Sequence, residues 1–369
     1  MSVARSVVNR AFQAANRQTA VRYAKVNGFT ANYPKTMGVR FVTNTNQTGY
    51  EEVNKKELPI LSFSKDGKKE KVIDVAEGTP IEPAAAGPVA GGFESGPCEP
   101  LTPGTHDKMT PTMKSMSIMG KTVVVTGGAR GLGNNMARAC LEAGASKLVI
   151  FDVNADNGAA CVAELHKLTG VPCSFYCVDI RDDNAIDRAV QQMYDDVGLP
   201  DVVINSAGIA DSNMPAETYN RDTFRRLIDI NLTGAFVICQ SIGSRMIAEN
   251  KPGSMILIAS MSGSIVNYPQ EQSCYNASKA GVVMMGKSLA AEWAKYNIRV
   301  NCISPGYMDT ALNNVPTLDG QKAVWKQMTP QKRLGSVDDL NGLAVYLASD
   351  SSKFVTGSNI IIDGGYTLW

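Results

Sequence analysis

Thr126-Gly127-Gly128-Ala129-Arg130-Gly131-Leu132-Gly133 follows the β-branched run Val123-Val124-Val125 and precedes a helical pattern from Asn135 to Ala143. The glycines therefore stand at a strand-to-helix turn. A helix N-terminus exposes unpaired N–H groups and a partial positive charge, and glycines let a pyrophosphate approach the backbone closely. Gly127, Arg130, Gly131, Leu132 and Gly133 are accordingly candidate phosphate-binding residues. The spacing T-G-x-x-x-G-x-G differs from the commoner G-x-G-x-x-G, but tight turn, close approach and helix packing serve the same purpose in both.

From Lys121 onward, short β-branched runs alternate with helical patterns. This predicts an α/β domain with one doubly wound parallel sheet and helices on both faces. The run Lys147 to Phe151 ends in Asp152, about 20 residues past the glycines, where a carboxylate binds adenosine ribose hydroxyls and repels a 2′-phosphate. That favours NAD. Arg130 pulls the other way, because a guanidinium inside the turn can pair with a 2′-phosphate; Asp152 is given the greater weight and NADP is kept as the alternative. The run Cys173 to Val178 ends in Asp179-Ile180, whose carboxylate is placed to meet the adenine amino group. The run Val202 to Ile204 leads into Asn205-Ser206-Ala207-Gly208, small residues that let the chain pass close to a cofactor. Each lies at the carboxyl end of a strand, where open α/β sheets bind ligands.

The run Met255 to Ala259 leads to Ser260-Met261-Ser262-Gly263, and a helical segment then carries Tyr275-Asn276-Ala277-Ser278-Lys279. Residues four apart stack on one helix face, so the Lys279 ammonium is expected to favour the Tyr275 phenolate. A phenol titrates near pH ~10 and needs such help to exchange protons at neutral pH. With Ser262 holding the substrate oxygen, Tyr275 exchanging its proton and Lys279 gripping the nicotinamide ribose, the set suits interconversion of a carbinol and a carbonyl.

The 369 residues carry a net charge of +1, which speaks against a polyanionic partner such as nucleic acid. No apolar run is expected to reach the ~20 residues that cross a bilayer. The eight cysteines lack metal-ligand spacing and read as reduced core thiols, so no metal is expected. His106 and His166 are the two histidines, and neither sits in a catalytic pattern. Residues 1–50 contain Arg5, Arg10, Arg17, Arg22, Lys25, Lys35 and Arg40 with no acidic residue before Glu51. Val7, Val8, Ala11, Phe12 and Ala15 share a helical side, as in an amphipathic mitochondrial presequence, with a mature start near residue 24 and a matrix location expected. Residues 51–115, with a tract rich in Pro, Ala and Gly from Pro80 to Pro103, read as a low-order arm. Leu58 to Phe63 is its candidate binding segment. The dehydrogenase-like domain spans 116–369, preceded by this largely disordered extension.

Taken together, Thr126–Gly133, Asn205-Ser206-Ala207-Gly208, Asn231 within Ile230-Asn231-Leu232, Ser262, Tyr275-x-x-x-Lys279 and Pro305-Gly306 resemble the short-chain dehydrogenase/reductase family. The resemblance implies a Rossmann-type sheet of about seven strands and a tetrad of Asn231, Ser262, Tyr275 and Lys279. Asn231 would hold a water that links Lys279 to solvent. It also implies contacts to the nicotinamide carboxamide from Pro305, Gly306, Met308 and Thr310, and a homodimer or homotetramer. Ser206 stands where the family usually has Asn. Ser260 to Asn267, Glu292 to Asn301, Ser304 to Tyr307 and Asp363 to Tyr366 are similar to fungal polyol dehydrogenases and ketose reductases. That likeness implies a small polyhydroxylated substrate, a pair such as D-arabinitol and D-ribulose. Asn267, Gln270, Glu271 and Gln272 suit such a substrate, and Tyr307 to Pro330 is expected to cover it. A 3-oxoacyl or other hydrophobic-carbonyl reductase, or a non-catalytic nucleotide-binding subunit, stands as the alternative.

Overall fold

The computed structural model describes residues 60–63, 69–72, 99–211, 213–310 and 318–369. The expected presequence over residues 1–50, its boundary near residue 24, and residues 311–317 of the expected substrate-covering segment lie outside the described residues.

Seven parallel strands form the body of one sheet. They are β3 (Thr122–Thr126), β4 (Lys147–Asp152), β5 (Cys173–Cys177), β6 (Val202–Asn205), β7 (Gly253–Ile258), β8 (Ile298–Pro305) and β9 (Asn359–Ile362). Their spatial order is β5-β4-β3-β6-β7-β8-β9, so the winding reverses between β3 and β6. In such sheets the ligand crevice opens beyond the carboxyl ends of the strands at that reversal. Residues alternate between the two faces, as a strand's period of two demands. Val124, Val149, Phe151 and Val203 pack with α5 (Asp183–Val197), α7 (Ala235–Ala248) and α8 (Ser273–Trp293). Val123, Val125, Ile150 and Ile204 pack with α3 (Gly131–Glu142), α4 (Ala155–Thr169) and α10 (Asn341–Ala348). The seven described cysteines are free thiols, and burial pushes Cys140 and Cys239 up to about 12. No cluster that could hold a metal ion occurs among the described residues.

The arm over residues 51–115 is less featureless than expected. Strands β1 (Ile60–Phe63) and β2 (Lys69–Val72) form an antiparallel pair, and β1 adds antiparallel to β5, which extends the sheet to nine strands. The candidate binding segment Leu58 to Phe63 thus contains the strand that covers the sheet edge, a position that would otherwise present unpaired backbone groups. Helices α1 (Pro103–Asp107) and α2 (Pro111–Met116) are each capped by a threonine ahead of a proline, Thr102 and Thr110. Elements this short carry no periodicity, and local capping chemistry defines them.

A second feature is the break in the helical segment Arg221–Ala248. The segment consists of α6 (Arg221–Ile228), a π-helical turn (Asp229–Gly234) and α7. Contrary to the expectation of no such run, Arg221–Ala248 is long and apolar enough by length and composition to cross a bilayer. Half of that apolar window, 50%, is buried within the fold, which is what a core helix covering one sheet face requires.

Candidate active site

At the end of β3 the backbone enters the left-handed region twice, with φ of 63° at Gly127 and 61° at Gly131, conformations that favour glycine. Close packing adds a second demand. A Cβ on Gly127 would lie 2.7 Å from the Ala207 Cα, and one on Gly133 would collide with the Gly127 carbonyl oxygen. Arg130 is the exposed N-cap residue of α3, makes no side-chain cap bond, and no acidic residue occupies the first helical turn. Gly127, Arg130, Gly131, Leu132 and Gly133 therefore form one positively biased helix start, which fits a pyrophosphate.

Asp152, at the end of β4, accepts hydrogen bonds from Ala129 N–H and Asn154 N–H, each at 3.1 Å. This fixes its carboxylate beside the glycine turn, where the ribose position was expected. Asp179 lies just past β5 and pairs with Arg181 two residues on. Burial alone would raise its carboxyl, but the bidentate Arg181 guanidinium holds it below the usual carboxylate range. Ile180 is 8% exposed, and its carbonyl is approached by Gly234 of the π turn.

Asn205 is held through its side chain. Its amide donates to the Ala235 carbonyl at 2.8 Å and its oxygen accepts from Thr126 Oγ at 3.0 Å. Thr126 Oγ in turn accepts from Ala207 N–H at 3.1 Å. The Asn205 side chain thus ties β3, β6 and α7 together at the reversal point. Gly208 faces the catalytic side: a Cβ there would lie 3.1 Å from Asn231 Oδ1 and 3.6 Å from Lys279 Nζ. Pro305 closes β8, and the Gly306 N–H donates to the Ile362 carbonyl at 2.7 Å. Met308 is buried and bridges to Gly335, and the Thr310 N–H donates to its carbonyl at 3.1 Å.

The tetrad residues come together from three elements. Asn231 sits in the π turn, 1% exposed, an insertion of the kind that re-aims side chains at functional sites. Its amide donates to the Ile209 carbonyl at 2.8 Å and to Ser278 Oγ at 3.1 Å, and its oxygen accepts from Ile209 N–H at 2.8 Å. Ser262 lies in the 3-10 turn Met261–Gly263 that follows β7. Gly263 brings this turn onto α8, since a Cβ there would lie 2.8 Å from the Lys279 carbonyl. Lys279 donates from Nζ to the Ile258 carbonyl at 2.9 Å and lies 5.7 Å from the Tyr275 ring centre. Burial lowers its ammonium to about 8. Its remaining hydrogens are free for ribose hydroxyls, which fits a dinucleotide.

Tyr275 departs from the expectation that Lys279 lowers it. Burial raises the phenol, and the Ser260 hydroxyl at the end of β7 works against it. Ser260, Gly263, Ser278 and the Ile258 carbonyl were not singled out from sequence. A serine or a backbone carbonyl at a strand end carries no distinguishing signal.

Of the polar residues expected near the substrate, three join one network and one does not. Asn267 and Gln272 are buried at 5% and 7% exposure, whereas Glu271 is exposed. Asn267 donates to Tyr307 Oη at 3.0 Å, and Tyr307 donates to Gln270 Oε1 at 2.7 Å. The Tyr307 ring stacks on Trp325 of α9 (Asp319–Met328) at 4.1 Å between centres. The indole N–H of Trp325 is buried without a partner among the described residues.

A family profile described as enoyl-(acyl carrier protein) reductase matches residues 127–367. Sorbose reductase of Schizosaccharomyces pombe is 40% identical over 256 residues, covering 69% of this chain and 99% of that protein. The ribulose-forming D-arabinitol 2-dehydrogenase of Candida tropicalis is 37% identical, covering 72% of this chain and 98% of its own. NADP-dependent mannitol dehydrogenase of Hypocrea jecorina is 39% identical, covering 68% and 94%. With this coverage and the assembled tetrad, the chain belongs to the short-chain dehydrogenase/reductase family and is an NAD(P)-dependent oxidoreductase acting on CH–OH groups.

Proposed function

We propose that the protein is an NAD-linked dehydrogenase that interconverts a polyol and its ketose. The observation that carries this is the polar wall of buried Asn267 and half-buried Gln270 and Tyr307, which Gln272 joins to Ser262. Such a wall offers polar edges to hydroxyls beyond the reacting carbon, whereas an acyl or steroid chain would bring apolar surface against it. The sugar-alcohol relatives point the same way.

A bound nicotinamide dinucleotide supplies the hydride acceptor in oxidation and the hydride donor in reduction. Gly127 to Gly133 would hold its pyrophosphate, Asp152 its adenosine ribose, and Lys279 its nicotinamide ribose. During oxidation Tyr275 takes the carbinol proton onto its phenolate oxygen, and during reduction the phenol gives that proton back. Ser262 donates a hydrogen bond to the substrate oxygen, where negative charge develops. Asp152 opposes a 2′-phosphate, because its carboxylate is fixed by two backbone N–H groups and cannot swing away freely.

Three expectations follow from these assignments. Steady-state oxidation of D-arabinitol, D-mannitol, D-sorbitol and xylitol, beside a hydroxyacyl and a steroid alcohol, should give turnover with the polyols and with NAD over NADP. Asp152→Ala should narrow that cofactor preference by about tenfold, the effect of ~1.4 kcal/mol of like-charge repulsion. Turnover confined to the acyl or steroid alcohol would replace the polyol assignment with the hydrophobic-carbonyl one.

The pH profile of ketone reduction should hold through neutrality, since the raised Tyr275 keeps its proton there, and should fall above about 8 as Lys279 loses its charge. A profile that rises above 8 would contradict both assignments.

The exposed Phe224, Phe236 and Met284 on α6, α7 and α8 suit a contact between subunits, and residues 1–50 suit a matrix-directing segment. Sedimentation as a monomer, or an organellar protein that retains its N-terminus, would discard the respective assignment.

A further inference from the structure

Ser262 Oγ, 5% exposed, accepts two hydrogen bonds, from Ser260 Oγ at 3.1 Å and from Gln272 Nε2 at 3.2 Å. A hydroxyl oxygen has two lone pairs and one hydrogen. With both lone pairs taken by protein donors, the hydrogen is the group left for the substrate oxygen. The Ser260 bond comes from the adjacent turn of the same strand end. The Gln272 bond comes from a different element, the start of α8, and joins the two halves of the site.

The orientation of the Gln272 amide follows from its neighbours. Ile265 offers a backbone carbonyl, an acceptor only, to Asn276 Nδ2 at 3.5 Å. Asn276 must therefore turn its oxygen toward Gln272, which donates to it at 2.8 Å. Asn267 turns its nitrogen to Tyr307 and its oxygen to Gln272, which donates to it also at 2.8 Å. The Asn267 and Asn276 oxygens require nitrogen, not oxygen, at this corner of Gln272, and its two hydrogens are shared among three acceptors, Ser262 taking the longest contact.

Gln272 is also the N-cap residue of α8 and makes no cap hydrogen bond with its side chain. Ser, Thr, Asp and Asn are the side chains that cap well, and a residue that does not cap leaves helix stability unused. The chain instead turns a longer amide inward, 7% exposed, onto Ser262.

We propose that Gln272 is the positioning residue for Ser262, holding its hydroxyl as a donor aimed at the reacting oxygen. This rests on the assignment of the site as an alcohol dehydrogenase, though not on which alcohol it takes. Gln272 touches neither substrate oxygen nor cofactor in this role. It acts through Ser262, and its link to Asn267 and Tyr307 passes the packing of the substrate wall to the hydroxyl that binds the reacting centre.

The test is a double-mutant cycle on whichever alcohol the wild-type enzyme oxidises. Gln272→Leu, which keeps side-chain volume and removes the donor, should lower kcat roughly two- to tenfold, the effect of one neutral hydrogen bond, with the NAD dissociation constant unchanged. In a Ser262→Ala background the same change should cost nothing further, because a residue that acts through Ser262 has nothing left to orient. A full additional loss in that background would assign Gln272 to general packing and overturn the proposal.

Gln272→Glu guards against a variant that fails to fold. It keeps the shape and donates only when its carboxyl is protonated, so its activity relative to wild type should recover as pH falls. Activity equal to wild type at every pH would overturn the positioning role. A wild-type enzyme silent with every alcohol would overturn the dehydrogenase assignment, whereas a substrate other than a polyol leaves the cycle fully readable.

Discussion

A lysine ammonium that is 6% exposed must find acceptors or lose its charge, and the architecture around Lys279 answers that constraint. The structure gives it the Ile258 carbonyl at the end of β7, at 2.9 Å, and no carboxylate partner among the described residues. Burial consequently brings the ammonium down to about 8. A carbonyl costs less to bury than a second charge, and it leaves the other ammonium hydrogens for a bound nucleotide. The placement works only if α8 lies close against the end of β7. Gly263 permits that approach from one side, and Gly208 leaves space on the other.

The same economy governs the other end of the sheet reversal. Thr126, Asn205 and the Ala235 carbonyl form a buried hydrogen-bonded chain that joins β3, β6 and α7. Fully satisfied buried polar groups rigidify their surroundings. They fix the separation between the glycine turn and the π turn that carries Asn231. The phosphate-binding end and the proton-transfer end of the site are held in register by side chains that would touch neither ligand nor substrate.

Much of this was legible because parallel sheets write their function at strand ends. The run Val123 to Gly133 announced a strand, a glycine turn and a helix, and Tyr275 with Lys279 announced a shared helix face. What stayed hidden depends on tertiary contacts. Apolar periodicity runs unbroken through Arg221 to Ala248, so the π turn at Asp229–Gly234 could not be read from it. Asn205 is a small polar residue at a strand end, and its side-chain tie to the Ala235 carbonyl, thirty residues on, has no local signature. Asp179 met Arg181 two residues on, a pair that sequence contains but does not orient. The pairing of Ile60–Phe63 with β5 joins residues more than a hundred positions apart and has no local signature.

The central claim is that Tyr275 moves the proton while other residues bind the nucleotide. The most direct measurement is turnover and NAD affinity of Tyr275→Phe, side by side with wild type. Loss of one hydroxyl at the reacting oxygen should reduce kcat by roughly 10²–10⁴-fold, with the NAD dissociation constant and the melting temperature unchanged. A variant that retains wild-type turnover would contradict the mechanism, because no other group in the assembled tetrad is placed to exchange that proton.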